Sequence, residues 1–198
     1  MIQEPKAPRA PAPRGFTLIE LMVVVTILAI LSIVAVTSYR YYARRAYAQE
    51  AKQLLLELKT KQETYFSEYG QYVTTATGVG DSDYFPASHP AGSGTSNSEQ
   101  WDWSTLNCAA PADTKQTGLC HLAFKPSGNT YFQVLTQGWG PANPPSSLST
   151  GYDFIDNMSL TQRWYYGIAR RDADNDNIYA IFILTSQSNE IVAIEELE

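Results

Sequence analysis

Residues 16–36, FTLIELMVVVTILAILSIVAV, constrain the fold more than any other part of the chain. These 21 residues carry one charge, Glu20, and three small hydroxyls, Thr17, Thr26 and Ser32. No Gly or Pro interrupts them. As a helix they would span about 30 Å, one hydrocarbon core. A segment this apolar needs either lipid or other apolar segments around it. The preceding 15 residues, MIQEPKAPRAPAPRG, are different. Prolines at 5, 8, 11 and 13 oppose a stable helix. Lys6, Arg9 and Arg14 make this leader basic, with Glu4 as its one acid.

The rest of the chain is less extreme. With 14 Lys+Arg and 20 Asp+Glu, the 198 residues carry a net charge of −6. That balance argues against general binding to nucleic-acid backbones, which needs a basic excess. Hydrophobic residues at 44% and charged residues at 17% exclude a disordered chain and can fill a real core. Two Cys and two His rule out a four-cysteine zinc site. A mixed site would need all four, and they lack the short paired spacing.

Three readings compete for the N-terminus. A secretory signal peptide has a basic region and then an apolar one. Here the apolar run is long, and the nearest A-x-A pattern, residues 46–48, lies beyond three arginines. A plain transmembrane anchor fits the length but leaves Glu20 unexplained, because a carboxylate inside a membrane helix is costly. The third reading accounts for the whole block. RGFTLIELMVVVTILAILSIVAV resembles the N-terminus of type IV pilin precursors and of the related type II secretion pseudopilins. The likeness is close over residues 14–36 and continues in character to about residue 72.

The resemblance implies specific roles. A prepilin peptidase would cut between Gly15 and Phe16, and the new Phe16 amine would be methylated. Gly15, without a side chain, leaves the scissile bond accessible. Glu20 stands at the family's acidic position, where it would pair with the N-terminal amine of a neighbouring subunit during assembly. Two opposite charges in an apolar filament core each need the other, since both have lost solvation. The division implied is a cleaved leader (1–15), a hydrophobic stem (16–37), and an amphipathic helix half with a globular β head (38–198). Thr37 stands where many pilins have Pro, and Ala29 at the usual mid-stem interruption, so this stem lacks the family's helix breakers.

Past the stem, Tyr47, Ala51, Leu54, Leu55, Leu58, Tyr65, Phe66 and Tyr69 recur at three-and-four spacing, with one gap near Gln62. This predicts an amphipathic helix continuing the stem, with Gly70 as its C-cap. Residues 16–69 would form one helix of about 80 Å. Tyr39, Tyr41, Tyr42 and Tyr47 stand among Arg40, Arg44 and Arg45. That composition reads as an interfacial aromatic belt, with subunit packing as the other use.

Residues 73–118 are rich in Gly, Ser, Thr, Asp and Pro and are expected to form a long irregular connection. In pilins this position is a variable surface loop. Strands are expected at 119–125, 130–136, 164–170, 178–185 and 191–194, the first two as a hairpin over residues 126–129. The expected fold is α+β: a long N-terminal helix packed on an antiparallel sheet of four or five strands. The resemblance puts the head outside the cytoplasm and so implies a disulfide between Cys108 and Cys120. Closing that loop would contribute about 2–3 kcal/mol.

Asp172, Asp174 and Asp176 alternate, with the Ile178 carbonyl beyond them, a pattern suited to calcium. Asn177 replaces the turn Gly of an EF-hand, and Ile183 stands where its bidentate Glu would be. The plain alternative is a polar hairpin turn, in which Asp and Asn are common, with Arg170 or Arg171 neutralising Asp172. No motif requires a cofactor; calcium is the one candidate. No enzyme motif is present: no G-x-S-x-G and no P-loop. His89 and His121 read as isolated surface residues. Trp101, Trp103, Trp139 and Trp164 read as packing residues sooner than as a binding face.

The sequence therefore reads as a structural subunit, not an enzyme. It would sit in the inner membrane as a single-pass protein with a periplasmic head, then move into an extracellular pilus. Expected partners are other pilin subunits, the prepilin peptidase, the inner-membrane assembly machinery and membrane lipid before assembly. The alternatives are a secretion pseudopilin and an anchored domain that never polymerises. Loss of residues 1–15 would remove three bases and one acid, leaving 11 and 19 and a net charge of −8.

Overall fold

A computed structural model describes residues 15–90, 99–140 and 150–194. The leader, residues 1–14, lies outside the described residues. Helix α1 runs Leu18–Tyr69, and the chain divides by its internal contacts into Met1–Tyr42 and Ala43–Glu198. The helix starts two residues later than the apolar run, because Thr17 supplies its cap. It ends where Gly70 adopts φ 68° and donates its N–H to the Phe66 carbonyl at 2.8 Å. A side chain is strained in that left-handed conformation, so Gly stops the helix there.

The second unit is built on α1 from Ala43 onward. Ala48, Ala51, Leu55, Leu58 and Gln62 are all buried, at alternating intervals of three and four. They form one face. That face packs on a sheet of four antiparallel strands in the order β1 (Gln133–Trp139), β2 (Trp164–Arg171), β3 (Ala180–Thr185), β4 (Val192–Ile194). Register runs Trp139 opposite Trp164, Arg171 opposite Ala180 and Ile181 opposite Ile194. The α+β architecture is that of the pilin fold: a long helix on an antiparallel sheet.

Both faces of the sheet are covered. Val134, Ala169, Ala180, Phe182 and Leu184 share a core with α1. Leu135, Trp164, Tyr166, Ile168 and Ile183 point the other way, against Tyr84, Ile155 and Met158. Strand residues alternate sides, so β2 is buried along its whole length by serving two cores. Gly167 on β2 is required by the helix side. A β-carbon there would lie 2.7 Å from Leu58 Cδ2.

Two expectations need correction. Residues 119–125 are not a strand: helix α2 occupies Thr114–His121, and no hairpin spans 126–129. Asp113 starts that helix by accepting the Gln116 N–H at 2.8 Å, an N-cap that outweighs the β-forming residues downstream. Entry into the sheet is delayed from residue 130 to Gln133. Thr130 pairs with Trp101 instead, and the Tyr131 N–H goes to Glu50 Oε1 at 2.8 Å. The connection over 73–118 is also more than surface loop. Tyr84, Phe85, Trp101, Trp103 and Leu106 in it are buried. Phe85 exchanges two backbone hydrogen bonds with Val134, covering the free edge of β1. The four-residue helix α3 (Asp153–Asp156) contributes Ile155 to the second core.

Candidate functional site: the exposed stem and the loops of the head

Thr17 organises the start of the stem. Its Oγ1 accepts the Glu20 N–H at 3.3 Å, and its carbonyl accepts the Leu21 N–H at 3.2 Å. Thr17 is thus the N-cap and Glu20 the third helical residue, a capping-box spacing. An acid in the first turn also faces the positive end of the helix dipole. Phe16, 83% exposed, stands just ahead of the helix with Gly15.

Every residue from 15 to 36 is exposed. The polar groups of the stem do not interrupt its surface. The Thr26 hydroxyl donates to the Met22 carbonyl and the Ser32 hydroxyl to the Leu28 carbonyl, each at 2.7 Å. Such hydroxyls need no outside partner, as lipid requires. The most apolar window of α1 has a mean hydropathy of 2.8 and buries none of itself. Glu20 is the one charge on this surface. Next along the helix, Tyr39 and Tyr42 are also exposed, and Tyr41 and Tyr42 meet edge to face at 5.9 Å.

In the head, Cys108 and Cys120 form a disulfide with Cα atoms 5.4 Å apart, tying α2 to the segment before it. Asp172, Asp174 and Asp176 bring carboxylate oxygens within 4.8 Å of one another. Asp172 is buried, and its two oxygens accept the N–H groups of Asn175 (2.6 Å) and Asn177 (3.0 Å). Asp176 accepts from the Ile178 N–H. Asn175 and Asn177 take positive φ of 66° and 69°, which Asn tolerates best after Gly. The turn is closed by its own hydrogen bonds, and its carboxylates converge as a hard cation would need.

Neither neighbouring arginine turns to this acid cluster as its main partner. Arg170 lies over the rings of Tyr84 (3.8 Å) and Tyr179 (4.5 Å) and bonds Asp81 at 2.5 Å and Gln133 at 3.2 Å. Arg171 lies over Tyr47 (3.9 Å) and Tyr131 (4.6 Å). Burial lowers the Arg171 pKa, and the tyrosines and Glu50 hold its charge in place. Burial also raises the Glu50 carboxyl, offset in part by the Tyr131 N–H and then by Arg171.

His121 lies on α2 and stacks 6.4 Å from Tyr65, while His89 stacks on Trp101 at 4.2 Å. Trp101, Trp103 and Trp164 are buried packing residues. Sequence reasoning missed Gln62, Asp81 and Glu50. Only Gln62 left a signal, as the polar interruption of an otherwise apolar face.

An exposed apolar stem with a lone first-turn acid, continuing into a helix on an antiparallel sheet, supports a pilin- or pseudopilin-like precursor. The model of the prokaryotic N-terminal methylation motif matches residues 12–36, the class III signal peptide of type IV pilins and pseudopilins. The motif points to a structural protein rather than an enzyme, processed by a prepilin peptidase and assembled into pilin-type filaments. No curated protein matches the chain.

Proposed function

We propose that this chain is a structural subunit, major or minor, of a type IV pilus. The observation that carries the reading is the unbroken exposed stem with its single acid, directly inside the methylation-motif match. In this reading residues 1–15 are cut away after Gly15, and Phe16 becomes the methylated N-terminus. Residues 16–37 anchor the subunit in the inner membrane, and residues 38–198 stand on the periplasmic side. During assembly the stem exchanges lipid for the stems of other copies. Glu20 then finds the Phe16 amine of a neighbour, offsetting the loss of solvation of both. The Asp172–Asp176 turn, with the Ile178 carbonyl, would take calcium as an accessory ligand. A pseudopilin of a type II secretion system is the second reading, favoured by that acidic turn late in the chain.

Mass spectrometry of filaments sheared from cells tests the proposal. A dominant N-terminal peptide beginning at methylated Phe16 means a major pilin, and the same peptide in trace amount a minor one. Absence of the chain from surface filaments, with the leader still cut after Gly15, turns the reading to a pseudopilin. A leader left intact or cut elsewhere removes both readings and leaves an anchored domain.

A further inference from the structure

A group of bases closes the stem. No Asp or Glu stands between Glu20 and Glu50, and Arg40, Arg44 and Arg45 fall inside that stretch. Beyond them the charge reverses: residues 46–198 hold 8 Lys+Arg against 18 Asp+Glu. Cleavage of the leader would carry away Lys6, Arg9 and Arg14, leaving the three arginines as the bases nearest the stem. In the proposed orientation they stand on the outward side, against the usual cytoplasmic bias of Lys and Arg. Orientation therefore gives no reason for them.

Arg44 and Arg45 lie at the start of the second unit and are exposed. Positions one helical turn before and after them, 40–42 and 47–49, carry no acid. They follow Val36, the end of the apolar run, by eight and nine residues, about 12–13 Å of helix. A helical side chain covers the turn N-terminal to its own Cα, about 5 Å back. That brings a guanidinium to about 7 Å beyond the apolar run, the outer part of a headgroup layer about 5–7 Å thick. Tyr39 and Tyr42, both exposed, occupy the interval, as interfacial aromatics do.

We infer that Arg44 and Arg45 bind the phosphate of an anionic phospholipid while the subunit stands in the membrane. Guanidinium meets phosphate with two parallel N–H donors. A zwitterionic lipid offers the same phosphate but pairs it with its own ammonium. The anionic lipid is therefore favoured, by about fivefold for each arginine near the surface. The contact also offsets repulsion between an anionic bilayer and the acidic remainder of the chain. The inference rests on the membrane-anchored reading and names the lipid class that the anchor uses.

The test uses the processed chain, purified from membranes in mild detergent, because the leader has bases of its own. Bound lipid is counted by native mass spectrometry after titration with phosphatidylglycerol or phosphatidylcholine. Wild type should prefer phosphatidylglycerol by about twentyfold at low salt, and by less at about 0.5 M salt. Arg44→Gln and Arg45→Gln should each lower the preference about fivefold and together bring it near parity. Removing two bases far from the stem, with Lys61→Gln and Arg163→Gln, should leave it unchanged. Equal binding of both lipids by wild type overturns the inference. So does a distant pair that lowers the preference as much as the arginine pair, since net charge alone would then explain it. An arginine pair that keeps the wild-type preference overturns it too, and low filament yield in that variant would give the arginines to the acidic head of a neighbouring copy. If alkaline carbonate strips the wild-type chain from membranes, the membrane reading itself falls, and the inference with it.

Discussion

Gln62 and Val73 are joined by two hydrogen bonds that imitate a pair of strands. Gln62 Nε2 donates to the Val73 carbonyl at 2.8 Å, and the Val73 N–H donates to Gln62 Oε1 at 2.9 Å. The second amide hydrogen reaches Thr136 Oγ1 on β1 at 2.9 Å. One fully buried side chain thus ties the helix, the segment leaving it and the sheet. Gln62→Leu fits the volume but strands the Val73 N–H and carbonyl away from water. At about 1–3 kcal/mol for each of these two unsatisfied groups, the loss should be roughly 2–6 kcal/mol. For a chain of this size that lowers the thermal midpoint by about 4–24 °C, measurable by circular dichroism. A midpoint within a degree of wild type would mean that water replaces the amide.

The same residue shows what the sequence could and could not convey. The stem is legible because composition alone dictates it: no other use of 21 such residues avoids water. All four strands are legible from their β-formers, with β1 starting three residues and β3 two residues later than expected. Gln62 looked like a break in the apolar face, yet it keeps the buried three-four spacing, and only its distant partners explain it. Helix α2 was missed because Leu119, Leu122 and Phe124 look like strand residues, whereas Asp113 decides the local geometry from outside that window. The Arg170–Asp81 contact, between residues 89 apart in sequence, is set by packing of a long connection and has no local signal.

Glu50 predicts a pH dependence. Its carboxyl is raised above the ordinary 4.5, chiefly by burial. In the window between the unfolded and folded pKa values, the folded chain holds the proton more tightly. Stability therefore falls as pH rises through that window and levels off above it. Gln at this position still offers an oxygen to the Tyr131 N–H but cannot ionise. Midpoints of wild type and Glu50→Gln, compared between about pH 4 and pH 7, should diverge as pH rises, with wild type losing ground. Parallel curves would show that Arg171 fully offsets the burial.

The acidic turn separates into a structural and a ligand question. Asp172 closes the turn, so Asp172→Ala should cost about 1–3 kcal/mol with or without metal. Asp174 and Asp176 are exposed, so Asp174→Asn with Asp176→Asn should be near neutral in chelator. Calcium at about a hundred times its dissociation constant would stabilise the wild type by about 2.7 kcal/mol and leave that double variant unmoved. Equal midpoints of wild type with calcium and with chelator would reduce the turn to its own hydrogen bonds.

Glu20 has two uses that a single alanine variant would confuse. It is the third residue of a capped helix, and it is the stem's one charge. Thr17 shares only the first use. Thr17→Ala removes the Oγ1 acceptor of the Glu20 N–H and should cost the helix start about 1 kcal/mol, while leaving the charge. Glu20→Gln does the reverse, since Gln serves as well at that capping position but carries no charge. If assembly uses the charge, Glu20→Gln should accumulate in the membrane as processed subunit and yield few filaments, while Thr17→Ala assembles close to normally. Protein levels and the Gly15–Phe16 cut, read by mass spectrometry, check that both variants reach the same starting point. The opposite pattern, with Thr17→Ala defective and Glu20→Gln normal, would assign the acid to the helix terminus and remove it from assembly.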